Sequence, residues 1–364
     1  MNYKETFYFV AKCLTISLEE KNRDEIESVL KSGYVDWEEV VKVSTSHYVL
    51  PAIYCNLKRT NFLKYLPNDL SKYMQYITKL NRDRNIQVLK QSEALNKLLL
   101  ANNIRPIFLK GTGNLIAGIY EDIAERMIGD IDFILSKKNY QKVIKILRGV
   151  GYCDVNKYHF PGTRHYNRLQ KEDSIASVEI HKELLGKTKY ANEFNYNFVK
   201  KDSQKINIYK TLSYANKLNL SIISNQINDL GYYYKAMPLR NAYDVFLLSK
   251  KTNSKEAINT LDKLTIPLNC FLAVCYKVFN EVDCLEYNRT KNAASYFSAF
   301  NRKLTNSKAR KILYKLIKGY LFLKSGLYIF YMAIIKKEYR TWLFKRVTDK
   351  NWQKKKLAQL GFKK

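Results

Sequence analysis

The 364-residue chain has no CxxC pair among its six cysteines, Cys13, Cys55, Cys153, Cys270, Cys275 and Cys284. None of its four histidines lies within metal-ligand spacing of a cysteine, so a zinc module is not expected. No secretory signal opens the sequence, which makes reduced thiols and a cytoplasmic location the default expectation. Long apolar runs are also missing. The most apolar stretch, residues 321–335, is too short to span a bilayer, and Lys324 interrupts it. A buried or amphipathic helix is expected there. Internal repeats and low-complexity linkers are absent too, which argues against a solenoid.

Acidic residues are scarce. Thirty-three Asp and Glu stand against 63 Lys and Arg, a formal net charge of +30. A field of that sign attracts polyanions: RNA, DNA, nucleotides or an anionic membrane surface. A Lys-rich coding bias explains the excess equally well. The excess is uneven. Residues 301–364 hold 19 Lys or Arg and only Glu338 and Asp349, a net +17. Apolar residues make up 46% of the chain and there are 29 Tyr, as expected of a folded protein of two or three domains.

The local patterns divide the chain in three. Residues 1–101 read as helices, with Asp36 as an N-cap before Trp37 and Pro67 opening a long stretch free of Gly and Pro up to Ala101. Residues 102–204 read as mixed strand and helix. An apolar strand from Ile104 to Leu109 ends at Lys110–Gly111, a helix follows, and a second strand begins with Asp130-Ile131-Asp132. Lys138–Leu147 has helical period and stops at Gly149 and Gly151. Tyr158–Leu169 and Ser177–Ile180 read as further strands. Residues 205–364 read as helical and, at the end, basic. Arg240 and Asp244 stand one turn apart, an expected i,i+4 ion pair. The expected fold class is α/β (α+β): a mixed sheet with helical N-terminal and C-terminal regions.

The chemistry concentrates in two strands. Residues two apart in a strand share a face, so Asp130 and Asp132 present adjacent carboxylates. Like charges that close call for a cation between them, and oxygen ligands suit Mg²⁺. Glu179, from a later strand, supplies a third carboxylate. Such a set suits metal-assisted phosphoryl transfer. Asp130 and Asp132 would hold Mg²⁺ ions, two in number, bridging the phosphates of a nucleoside triphosphate, and Glu179 would join the ion nearer the attacking hydroxyl. At Lys110–Gly111 the backbone turns into a helix N-terminus, which favours an anion. Lys110 and Arg126 could add charge to the triphosphate. His181 is expected as a strand-end hydrogen-bonding residue, His47 as a packing residue, and His159 and His165 on an exposed hairpin.

This order of residues resembles the nucleotidyltransferase superfamily, whose pattern is hG[G/S], Dh[D/E]h and a later h[D/E]h. It is most similar to uncharacterised bacterial nucleotidyltransferases with a strand ending in LKG, an R-x-x-G-D-h-D motif and h-E-h-H. The matching residues are Leu109-Lys110-Gly111, Arg126 through Asp132, Gly151-Tyr152 and Val178-Glu179-Ile180-His181. Asp36-Trp37, His47, Leu66-Pro67, Asn85, Arg240 and Asp244 extend the likeness over about residues 30–250. Thr112 stands where the superfamily usually carries Gly or Ser, and its hydroxyl keeps a phosphate contact open. The resemblance implies a nucleotidyltransferase fold, Mg²⁺ and an NTP donor, with transfer of an NMP to an acceptor hydroxyl. Asp130, Asp132 and Glu179 are then the catalytic and metal-binding residues. Lys110, Gly111, Thr112 and Arg126 are then the nucleotide-binding residues. The basic tail favours RNA as acceptor, a tRNA end among the options. The alternative is a degenerate, non-catalytic relative that holds nucleic acid or an anionic membrane through its C-terminal region, or that touches a membrane peripherally through residues 312–346.

Overall fold

The computed structural model describes residues 1–155, 160–186 and 190–360. Tyr158 and His159, expected on a strand, lie outside the described residues. The chain forms two compact units. One comprises residues 1–155 and 164–307, the other residues 156–163 and 308–364.

The first unit opens with α1 (Tyr3–Cys13), α2 (Glu20–Lys31), α3 (Trp37–Ser46) and α4 (Leu50–Arg59). Local chemistry sets their starts. Asn2 and Glu5 form a capping box on α1. Asp36 accepts from the Glu39 amide at 3.1 Å and caps α3. Pro67 immediately precedes α5 (Asn68–Ala101), which is about 51 Å long at 1.5 Å per residue. The buried stripe of α5 is half polar: Asn81, Asn85, Ser92 and Asn96 alternate with Met74, Val88, Leu95 and Leu99. Buried amides need partners, and these find them in backbone carbonyls elsewhere in the fold.

A turn at Asn102–Asn103, with Asn103 at φ 60°, leads into the sheet. Its strands are β1 (Ile107–Phe108), β2 (Asp130–Ile134), β3 (Cys153–Asp154), β4 (Leu169–Gln170), β5 (Ser177–His181), β6 (Gln204–Ile206) and β7 (Tyr209–Thr211). Between them lie α6 (Lys110–Ile116), α7 (Lys137–Gly149) and α8 (Tyr196–Lys201). The strand order is β3-β4-β5-β2-β1-β7-β6. β2 runs parallel to β5 and β1 parallel to β7, and the other pairs are antiparallel. The fold is thus a mixed α+β one, as the sequence implied. The β6–β7 hairpin corrects one expectation, since residues from 205 onward read as helical. Asn207, at φ 51°, turns a two-residue loop there, and the hairpin adds the edge of the sheet.

Six helices follow: α9 (Tyr214–Ile223), α10 (Gly231–Tyr234), α11 (Leu239–Ser249), α12 (Ser254–Asn259), α13 (Thr265–Val278) and α14 (Lys291–Thr305). Pro238 precedes α11 as expected. One continuous apolar core joins residues from Phe7 to Leu304, so the N-terminal helices, the sheet and the helices after it stabilise one another. At its centre the Phe108 ring lies 6.0 Å from Phe133 and 5.6 Å from Tyr209.

The second unit contains α15 (Ser307–Ile335), α16 (Lys337–Val347) and α17 (Lys350–Leu360). Its own core is small: Met332, Ala333 and Tyr339, with Phe160 and Leu343 packed against them. Among the described residues, no helix is long and apolar enough to cross a membrane.

Candidate active site

β2 and β5 run side by side in a register that pairs Asp132 with Glu179 and Ile134 with His181. Alternation then puts Asp130, Asp132, Glu179 and His181 on one face. α5 fixes the backbone leading into both strands. Asn81 donates to the Ala124 carbonyl at 2.6 Å, and Asn85 donates to Ile123 and Arg126 at 2.6 and 2.7 Å. The Arg84 Nε donates to the Ile128 carbonyl at 3.1 Å. Further along the same helix, Gln91 exchanges two hydrogen bonds with Ala176, just before β5.

Lys110 reaches the same face from the other side. The Leu109 amide donates to the Asp132 carbonyl at 2.9 Å, extending the β1–β2 ladder by one bond. The next residue, Lys110, has φ 49°, a left-handed conformation that a side chain adopts only at a steric cost. Its ammonium lies 2.6 Å from Asp132 Oδ1 and 3.7 Å from Glu179 Oε2. Thr112 directs its hydroxyl to the Asp130 carbonyl, 3.3 Å away. Gly113 is the glycine whose size matters most in this turn. A Cβ there would lie 2.6 Å from the Phe108 carbonyl oxygen, so α6 can sit on β1 only without one.

The three carboxylates do not behave alike. Asp132, Glu179 and His181 are buried, and each offers one ligand atom within 4.8 Å of the others. His181 Nε2 lies 2.8 Å from Asp132 Oδ1. Asp130 is less buried, and its carboxylate pairs with Arg168, whose Nη2 lies 2.9 Å from Asp130 Oδ2 and 3.1 Å from Glu179 Oε1. Burial pushes the Asp132 carboxyl up, but Lys110 and His181 together outweigh it and leave it well below the usual carboxylate range. Burial raises Asp130, Arg168 opposes the rise, and Glu179 and Asp132 add to it. Burial, then Lys110, lowers His181 to about 4 against the pull of Asp132, so the ring is neutral near pH 7. A neutral ring this close to Asp132 donates from Nε2. Its Nδ1 faces the Glu183 carbonyl at 3.4 Å.

The sequence-based site residues fall in two places. Lys110, Gly111, Thr112, Asp130, Asp132 and Glu179 gather around the β2–β5 face. Arg126 does not. Its guanidinium is buried, with Nε 3.0 and 3.1 Å from the two oxygens of Asp244 and one Nη donating to the Met127 carbonyl. The Tyr120 hydroxyl completes the pair by donating to Asp244 at 2.6 Å. This corrects the expected Arg240–Asp244 pair. Asp244 bonds across the fold to Arg126, while the Arg240 guanidinium lies 5.0 Å from the Tyr48 ring centroid. His47 packs and bonds as expected, accepting from the Leu239 amide at 3.2 Å beside Phe7.

Two contributors, Arg168 and His165, were not legible in the sequence. Both lie on the segment leading into β4, where neither spacing nor motif marks them. His165, expected on an exposed hairpin, is half-buried, with Nε2 3.9 Å from Glu179 Oε2. His181 ends β5 and hydrogen-bonds as expected, and the structure adds that its partner is Asp132. The order h-Glu-h-His was the available signal, since residues two apart share a face.

The donor set fits a divalent cation. The carboxylates of Asp132 and Glu179 suit a hard ion such as Mg²⁺, while His181, donating from Nε2 to Asp132, orients that carboxylate. Residues 34–279 match a family described as uncharacterised nucleotidyltransferase. Comparison with curated proteins finds no match. Among solved structures, the crystal structure of JHP933 from Helicobacter pylori aligns with 65% of this chain and 97% of that one, at 12% identity and a TM-score of 0.29. That likeness is too weak to carry weight. The family match covers more than half of the chain and contains every residue of the β2–β5 face, and this protein belongs to the uncharacterised nucleotidyltransferase family.

Proposed function

We propose that this protein is a Mg²⁺-dependent nucleotidyltransferase that moves an NMP from an NTP to an acceptor hydroxyl. The acceptor hydroxyl gives up its proton to water as its oxygen bonds to the α-phosphorus, the bond from that phosphorus to the α–β bridging oxygen breaks, and pyrophosphate leaves with the electron pair. The observation that carries this reading is the convergence of Asp132, Glu179 and His181 on register-matched strands beside Lys110. Asp130, Asp132 and Glu179 would hold the cation, with His181 beside them. When bound, it would neutralise phosphate charge and lower the pKa of the attacking hydroxyl.

The chain's own residues do the rest. Lys110, fixed by its left-handed backbone, offers an ammonium to the phosphates, with Gly111 and Thr112 at the turn. Arg126 acts as a positioning residue: its buried pair with Asp244 holds the segment that enters β2. Arg164 and Arg240 are candidates for the triphosphate. Each has a buried Nε without a hydrogen-bond partner among the described residues, and both act with Lys110 on Asp229. A polyanionic acceptor such as RNA is supported by a polar cavity of about 530 Å³ in the same unit. Arg105, Lys138, Lys200 and Lys210 line it, with no acidic residue.

The test is incubation with each labelled NTP, Mg²⁺, total RNA and lysate. Wild type should transfer label, and the Asp130→Ala, Asp132→Ala double variant should not. Undiminished transfer by that variant overturns the assignment. If RNA is the acceptor, its binding falls steeply with salt. One observation favours a second reading, in which nucleotide is bound but not transferred: Lys110 and Arg168 already neutralise the carboxylates. Calorimetry separates the two, because only the first requires Mg²⁺ for tight NTP binding.

A further inference from the structure

The second unit carries a surface that the nucleotidyl-transfer reading does not use. Along α15, Ile312, Leu316, Tyr320, Leu323, Leu327, Phe330 and Ile334 recur every third or fourth residue. At 3.6 residues per turn they fall within about 80° of arc. Each is between 55% and 72% exposed. A contiguous apolar stripe about 33 Å long on one helix is far more than scattered surface leucines. The unit's own small core lies elsewhere on the helix, at Met332 and Ala333 against Tyr339.

The flanking charge has one sign. Lys311, Lys315 and Lys318 form a second stripe, rotated about 130° from the first on the same wheel. No acidic residue occurs between Ser307 and Lys337, and residues 308–364 hold 17 Lys or Arg against Glu338 and Asp349. The segment also lies beyond residues 34–279, which the family shares.

These features together select one occupant. An aliphatic stripe has no use for a phosphodiester backbone, which lysines alone would serve. A second copy of the stripe would bring two units of net charge +15 together, a repulsive arrangement. An anionic bilayer accepts both features at once, the apolar face among the acyl chains and the lysines at the headgroups. We propose that α15 is an interfacial membrane helix that lies in the surface of an anionic phospholipid bilayer without crossing it.

The experiment is flotation of the full chain with vesicles of phosphatidylcholine alone or mixed with phosphatidylglycerol. Wild type should float with the mixed vesicles and stay behind with phosphatidylcholine. Leu323→Ser with Leu327→Ser should lower the floated fraction at least about tenfold, since two large apolar side chains leave the bilayer. Lys311→Glu, Lys315→Glu and Lys318→Glu together should lower it by roughly a hundredfold, at about fivefold per lysine. Should the serine variant misfold, Leu327→Trp gives an independent readout, a blue-shifted emission on mixed vesicles. Several results overturn the proposal: serine variants that float like wild type, Leu327→Trp emission unmoved by vesicles, or a wild-type dimer in sedimentation that the serine substitutions dissolve. Retention on RNA that requires Leu323 and Leu327 overturns it as well. None of these outcomes bears on NMP transfer, so this inference and the active-site reading fail separately.

Discussion

Removing the guanidinium of Arg126 should destabilise the first unit more than it weakens nucleotide binding. Arg126 and Asp244 are both buried, and the carboxylate accepts from Arg126 Nε and from the Tyr120 hydroxyl. Arg126→Met leaves that carboxylate with one neutral donor. Breaking a buried pair by removing one partner costs about 3–5 kcal/mol, because the remaining charge is uncompensated. Arg126→Met with Asp244→Leu removes both charges, and its cost falls to packing and the orphaned Tyr120 hydroxyl, about 1–2 kcal/mol. Asp244→Leu strands the Arg126 charge at a similar cost, so the coupling across the double-mutant cycle, both singles minus the double, is about 4 kcal/mol or more. With a urea m-value of about 3 kcal/mol/M, the single variant lowers the midpoint by about 1 M and the double by roughly half that or less. The assay is urea unfolding followed by far-UV circular dichroism, alongside KM for NTP. The reasoning is refuted if the single variant keeps the wild-type midpoint while KM rises steeply. That result would make Arg126 a triphosphate ligand.

Other perturbations probe the scaffold. Asn85→Ala strips donors from the Ile123 and Arg126 carbonyls and should cost about 2 kcal/mol, read as a lower urea midpoint. Gly113→Ala sets a Cβ against the Phe108 carbonyl oxygen, so α6 must shift off β1; a loss of about 2 kcal/mol or more is expected from the thermal midpoint, and an unchanged one refutes the close approach. Burial lowers Lys217 to about 7, against about 10.4 in an unfolded chain. Between those values the unfolded chain binds more protons, so this group makes stability rise with pH, and Lys217→Met should flatten that rise by up to about 4 kcal/mol, measured by urea unfolding at neutral and alkaline pH.

What the sequence alone determined was local. Capping residues and prolines marked helix starts at Asp36, Pro67 and Pro238, because those signals act within one turn. The strand period put Asp130 with Asp132, and Glu179 with His181, since a two-residue repeat assigns faces without knowledge of the partner strand. The ordered motifs from Leu109 to His181 were enough to indicate the family. The β6–β7 hairpin was not legible, because a turn through a left-handed Asn207 lies inside a polar, Lys-rich stretch.

Only the tertiary structure decided which charges meet. Register placed Asp132 beside Glu179, which no local pattern could do. The sequence offered Arg240 to Asp244 at helical spacing, but the fold gave Asp244 to Arg126 from 118 positions away. Arg168 joined Asp130 to Glu179, and His165 came to face Glu179, with no spacing to announce either. The physical reason is the range of the forces. Caps and periodicity are set by backbone geometry over a few residues. An ion pair forms wherever burial brings opposite charges together, and burial is a property of the whole fold.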